Sequence, residues 1–145
     1  MVTRRTASAP QPQPVSRLDG LRLLLVEDHD DARELLALAL RGAGASVTEA
    51  DSVPVAVDAL QRDEFSVLLS DIAMPGQDGY DLLRWVRSVD APRTTRTIPA
   101  VAVTAFAAPG DRAKALAAGF AEHVAKPVEM STLIEIVARL GTAEN

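Results

Sequence analysis

Apolar residues along this chain follow two alternating spacings. Short apolar runs at Leu21–Val26 (LRLLLV), Val67–Ser70 and Ala100–Thr104 have the length of strands, and the shorter or more polar segments Ser46–Ala50 and His123–Ala125 are further strand candidates. Between them, apolar residues recur at i, i+3, i+4 and i+7, which is one face of a helix. The stripes are Ala32, Leu35, Leu36, Ala39; then Val53, Ala56, Val57, Leu60; then Leu82, Trp85, Val86, Val89; then Ala113, Leu116, Ala117, Phe120; and last Leu133, Ile136, Val137, Leu140. Asp30 or Asp31 is suited to cap the first helix, and Gly42 and Gly44 to stop it. Pro54 fits only the first turn of the second. Strands that alternate with helices predict an α/β fold, a parallel sheet with helices on both faces.

Right-handed crossovers leave few ways to wind five such units. The common solution is the doubly wound, flavodoxin-like (βα)5 sheet of order 2-1-3-4-5, whose crevice opens between strands 1 and 3 at their carboxyl ends. Polar residues collect at those ends. Glu27 and Asp28 follow strand 1, Asp71 follows strand 3, Thr104 ends strand 4, and Lys126 follows strand 5. After Asp71 come Met74-Pro75-Gly76 and Asp78-Gly79, which are turn sequences. Three carboxylates at one edge repel unless a cation joins them. Mg2+, which takes hard oxygen ligands, is the natural partner. A carboxylate such as Asp71 can also act as a nucleophile and carry an acyl phosphate. Lys126 and Thr104 are then suited to hold phosphoryl oxygens.

Composition narrows the classes. The formal net charge of -5 disfavours direct nucleic-acid binding, which needs a basic footprint. With no cysteine, disulfides, thiolate catalysis and zinc–cysteine sites are excluded. No apolar run is long enough to insert in a membrane, and no signal peptide follows Met1, so a soluble cytoplasmic protein is expected. Residues 1–18 differ from the rest: APQPQPV alternates proline and glutamine, and no acid precedes Asp19. That stretch reads as a disordered tail or linker, and residues 19–145 as one domain.

Four motifs now stand in order: VED at Val26–Asp28, SDIAMPGQDG at Ser70–Gly79, VTA at Val103–Ala105 and AKP at Ala125–Pro127. Together they resemble the receiver domain of bacterial two-component response regulators, the CheY-like family, across Leu21 to Leu140. The resemblance implies that Asp71 accepts a phosphoryl group from a partner's phosphohistidine, on a sensor histidine kinase or a histidine phosphotransfer domain, and that a downstream protein partner reads the result. It implies that Asp28 binds Mg2+ directly, that Glu27 does so directly or through water, and that the Ala73 carbonyl is a further ligand. Thr104 and Lys126 would contact the phosphoryl group, and the Lys126–Pro127 bond would be cis. His123 stands where the family often has an aromatic residue, so the paired switch of threonine and aromatic is altered here. A phosphorylation-controlled signalling module, not a true enzyme, is the expectation.

Competing readings fare worse on the same residues. A flavin- or nucleotide-binding protein of this winding needs a phosphate-cradling loop after strand 1. The chain offers the acidic stretch Glu27-Asp28-His29-Asp30-Asp31 instead. An aspartyl-nucleophile phosphohydrolase of the haloacid-dehalogenase type needs an acid two residues after the nucleophile, where Ala73 stands. His29 reads as a solvent-exposed loop residue, Trp85 as core, and Asp30 and Asp31 as helix-terminal charges. After Leu140 only Gly141–Asn145 remain, so a stand-alone receiver or the C-terminal receiver of a hybrid sensor kinase is expected. The Pro/Gln tail and the AGFAEHVAKPV wording favour the second.

Overall fold

The computed structural model describes residues 17–105 and 108–142. Strand β1 (Arg22–Val26) is followed by α1 (Asp30–Gly42), β2 (Ser46–Ala50), α2 (Val53–Arg62), β3 (Val67–Ser70) and α3 (Gly79–Val86). Then come β4 (Ala100–Thr104), α4 (Pro109–Ala118), β5 (Glu122–Ala125) and α5 (Met130–Thr142). All strands pair in parallel, in the order β2-β1-β3-β4-β5, which is the 2-1-3-4-5 winding. Both sheet faces are covered. Leu24, Val26, Leu68, Ala100 and Ala102 pack under α2, α3 and α4. Leu23, Leu25, Leu69, Val101 and Val103 point the other way and pack under α1 and α5. A sheet buried on both sides needs apolar residues at every position, which is why β1 and β3 read as continuous runs rather than alternating ones.

Leu18 is fully buried in the α1/α5 layer, and its N–H donates to the Ala43 carbonyl at 2.9 Å. Packed structure thus reaches Leu18, the last residue of the stretch that composition sets apart as a tail. Residues 1–16, which carry the Pro/Gln repeat, lie outside the described residues.

Three helices depart from their expected stripes. In α1 the core-facing residues are Leu36, Ala37 and Leu40, while Leu35 and Leu38 are 68% and 70% exposed. Six consecutive apolar residues, Leu35 to Leu40, give no contrast by which periodicity could choose the face. The helix starts at Asp30 with His29 at its N-cap and no side-chain cap, so Asp30 and Asp31 sit inside the first turn, where their charge suits the helix dipole. Helix α3 stops at Val86, leaving Val89 exposed beyond it; Leu83 takes the core position instead. In α4 only Ala115 is buried, and Phe120 enters the core after Gly119 has ended the helix with φ 117°. An alanine-rich helix has too little apolar contrast for its spacing to mark a face.

Candidate functional site

The site is assembled where the carboxyl ends of β1, β3, β4 and β5 meet. Register fixes this: Val26 pairs with Ser70, Ser70 with Ala102, and Thr104 with Ala125. The next residues along β1 and β3 are Glu27 and Asp71, and Lys126 follows β5. Asp71 N–H donates to the Val26 carbonyl, and Lys126 N–H to that of Thr104, so the backbone ladder extends into the site. Glu27, Asp71 and Thr104 are all buried.

Lys126 is the centre of the charge arrangement. Its Nζ donates to Glu27 Oε1 at 2.5 Å and to Asp71 Oδ2 at 3.0 Å. Burial pulls the ammonium's pKa down. The hydrogen bonds to both carboxylates and their charge more than offset this, and hold it above the ordinary lysine value. Asp71 Oδ1 is oriented separately, by the N–H groups of Ile72 at 2.7 Å and Ala73 at 3.3 Å. The Ala73 backbone thus lies beside the carboxylate. The Lys126–Pro127 peptide is cis.

The acids form a cation-sized cluster. Glu27, Asp28, His29 and Asp71 each offer a ligand atom, all within 4.8 Å of one another. Asp28 Oδ1 is buried and accepts no hydrogen bond from the described residues. A buried carboxylate oxygen without a donor is costly, and a divalent cation is the partner that would satisfy it. The donor set fits a metal ion: oxygen-rich, anionic, and beside Asp71.

Two contributors leave no mark in the apolar spacing. Arg33, on α1, donates to the Glu27 carbonyl at 2.9 Å, to Asp30 at 2.8 Å and to Glu49 at 3.1 Å. It therefore pins the acidic β1–α1 loop to both α1 and β2. Its position one turn after the acids was the available signal. His29 is 73% exposed at its side chain, as a loop residue should be, yet its Nδ1 lies 3.1 Å from Glu27 Oε2. Glu27 and Asp28 raise the pKa of this imidazole, first through the hydrogen bond to Glu27 and then through the charge of both acids. His123 on β5 is buried, and its carbonyl accepts from Arg112. Its register partner is Ala102, two residues before Thr104, so His123 and Thr104 share the sheet face covered by α2, α3 and α4.

The response regulator receiver domain model matches residues 23–138. A 14.6 kDa protein from the sodA1 3′ region of Leptolyngbya boryana is 38% identical over 125 residues, covering 86% of this chain and 91% of the relative. The response regulator FleR of Pseudomonas aeruginosa is 35% identical over 118 residues, covering 81% of this chain and 24% of FleR, so the chain spans only part of that protein's length. Among solved structures, the receiver domain of the sensor histidine kinase PA1611 from Pseudomonas aeruginosa, with a magnesium ion in its active-site cleft, aligns with a TM-score of 0.77 and 32% identity. That alignment covers 86% of this chain and 99% of the PA1611 domain. No helix among the described residues is long and apolar enough to cross a membrane. The sheet order, the four motifs and the matched length agree: the chain belongs to the response regulator receiver domain family of two-component systems.

Proposed function

We propose that Asp71 is the phosphoryl acceptor of this receiver domain, in a Mg2+-dependent transfer from the phosphohistidine of a sensor histidine kinase or a histidine phosphotransfer domain. The observation that carries this reading is the ammonium of Lys126 bridging Asp71 Oδ2 and Glu27 Oε1, with Thr104 alongside at the end of β4. Two backbone N–H groups orient Asp71 Oδ1, and Oδ2 faces the cation. In the transfer, Asp71 forms a bond to phosphorus as the phosphorus–nitrogen bond of the donor breaks, and the imidazole leaves with that electron pair. Lys126 pairs with one developing phosphoryl oxygen and the Thr104 hydroxyl donates to another; such positioned charge is most of what the reaction needs. Glu27, Asp28, Asp71 and the Ala73 carbonyl would hold Mg2+, which supplies neutralisation of phosphoryl charge when bound. Thr104 and His123, on one sheet face, are the pair through which the phosphorylated state reaches the α4–β5–α5 surface and its downstream partner.

The test is direct. With phosphoramidate and Mg2+, intact mass should show a single phosphoryl adduct on the wild-type chain, none with EDTA, and none on Asp71→Asn. A stable adduct on Asp71→Asn removes Asp71 as the acceptor.

The protein donor needs a docking surface, and α1 offers one. Leu35 and Leu38 are exposed, and with Ala32 and Ala39 they line an apolar groove completed by Lys126, Pro127, Val128 and Met130. Because Lys126 belongs to both groove and site, a helical histidine-bearing partner seated here would bring its phosphohistidine to Asp71. Exposed apolar surface of this kind marks interaction sites. Leu38→Glu should slow transfer from a phosphorylated histidine phosphotransfer protein by about tenfold or more relative to labelling by phosphoramidate, as loss of a buried interface anchor does. An unchanged ratio of the two rates would place the docking face elsewhere.

A further inference from the structure

We infer that His29 is an additional ligand of the cation site, making it able to hold late first-row divalent cations such as Ni2+ through an imidazole nitrogen. The inference rests on the reading of Glu27, Asp28 and Asp71 as a metal site. It adds a ligand and a class of cation to that site.

The argument is geometric. His29 Nδ1 lies 3.1 Å from Glu27 Oε2 and 3.4 Å from Asp28 Oδ1. In an octahedral site with metal–ligand bonds of about 2.1 Å, neighbouring ligand atoms are separated by about 3 Å. The nitrogen and the two oxygens therefore stand as adjacent corners of one coordination shell would. Asp28 Oδ1 is the buried oxygen that accepts no hydrogen bond from the described residues, and it faces this same point. The His29 ring is otherwise exposed, so it can adjust to a cation without disturbing the core. The His29 backbone N–H also donates to Glu27 Oε2, which ties the residue to that carboxylate at both ends.

The chemistry follows from the donor type. Mg2+ favours oxygen and gains little from imidazole. Imidazole suits Ni2+, Cu2+ and Zn2+, and affinity at a site with nitrogen donors rises steeply along the first row from Mn2+ to Cu2+. A receiver carrying histidine here would bind Mg2+ through oxygens alone and bind Ni2+ through those oxygens plus one nitrogen.

The experiment compares wild type with His29→Ala, using Mg2+ and Ni2+ chlorides separately, with affinity from calorimetry and the Ni2+ visible spectrum as a second readout. His29→Ala should weaken Ni2+ by roughly ten- to hundredfold, in line with what altered ligand shells cost, and change Mg2+ affinity much less. The Ni2+ bands should move to lower energy in the variant, because water is a weaker-field ligand than imidazole. If His29→Ala weakens both cations together through a fold defect, the wild-type spectrum decides: bands without the signature of nitrogen ligation would overturn the inference. Unchanged Ni2+ affinity and spectrum in a chain that still binds Mg2+ would overturn it while leaving the magnesium site intact. A His29-dependent Ni2+ spectrum in a chain that binds no Mg2+ would support it and remove the magnesium reading instead.

Discussion

Lys126→Met should destabilise the metal-free protein by about 3 kcal/mol, the lower end of what breaking a buried ion pair costs. Glu27 and Asp71 are 1% and 6% exposed, and both direct an oxygen at the Lys126 ammonium. Methionine fills similar volume but leaves two buried carboxylates facing each other without a cation. The lower end applies because the Lys126 side chain keeps 21% of its exposure, so water partly screens the pair. A double-mutant cycle identifies the cause. Glu27→Gln removes one of the stranded charges, so Lys126→Met should cost much less in that background, and the two changes should be strongly non-additive. The pH dependence has a definite sign. Lys126 has its pKa raised in the folded protein. Its contribution is therefore complete below the unfolded lysine value, about 10.4, and is lost as pH rises through the higher folded value. Denaturant melts of wild type and Lys126→Met should thus differ most at neutral pH and converge on the alkaline side. Additive costs, or a gap independent of pH up to the alkaline limit, would show that packing and not charge is the reason. Phosphorylation by phosphoramidate should fall by orders of magnitude in Lys126→Met as well, since the same ammonium is the proposed partner of a phosphoryl oxygen.

The sheet was readable because its inner strands β1, β3 and β4 are apolar almost throughout and end abruptly in polar residues. Val67-Leu68-Leu69 running into Ser70-Asp71 gives both the buried strand and the residue at its carboxyl end. Once strands and helices alternate, winding order brings Glu27, Asp71 and Lys126 together, although 99 residues separate Glu27 from Lys126. Which face each helix buries was less legible. Where polar and apolar residues contrast, as in α5 with Glu135 and Arg139 outside and Leu133 and Val137 inside, spacing suffices. Where alanine or leucine fills both faces, as in α1 and α4, tertiary packing chooses. In α1 that choice leaves Leu35 and Leu38 outside, and the proposed docking face rests on that exposure.

The polar network around the site was legible in part. Residues at strand ends announce themselves by position. Arg33 reaches the Glu27 carbonyl from one turn along α1, and His29 turns back on Glu27 through its own side chain. Both interactions depend on side-chain direction, which spacing does not encode. Asp78 is a middle case. As a turn residue it is visible in the sequence. Its role is more specific: it caps α3 and forms a reciprocal box with Asp81, each carboxylate accepting the other's backbone N–H at 2.9 Å. This fixes the start of α3, and through it the loop that follows Asp71.

Gly79→Ala should be severely disruptive even though Gly79 begins a helix. A Cβ at this position would lie 2.5 Å from the Asp71 carbonyl oxygen and 2.9 Å from Ile72 Cα, both backbone atoms that cannot rotate away. Alanine gains at most about 1 kcal/mol of helix propensity over glycine, and less in a first turn. Overpacking of this kind costs about 1–3 kcal/mol, sometimes more, and the contact here is with rigid backbone, so the clash wins. A net loss of about 2 kcal/mol is expected. The effect should extend to the site. Relief of the clash requires moving Asp71 and Ile72 away from α3, and the Ile72 and Ala73 N–H groups are what orient Asp71 Oδ1. A displacement of the order of an ångström at a reacting group can cost about a hundredfold in rate, so labelling by phosphoramidate should slow by about tenfold to a hundredfold at temperatures where the variant is fully folded. Gly76→Ala is the control. Gly76 has φ 79°, and nothing lies within 4 Å of its would-be Cβ, so alanine there meets backbone strain without a clash. It should cost about 1–2 kcal/mol and leave labelling close to wild type, because the added Cβ meets nothing within 4 Å, Asp71 included. If Gly79→Ala labels as fast as Gly76→Ala once both are folded, the close approach of α3 to the Asp71 backbone does not set the geometry of Asp71.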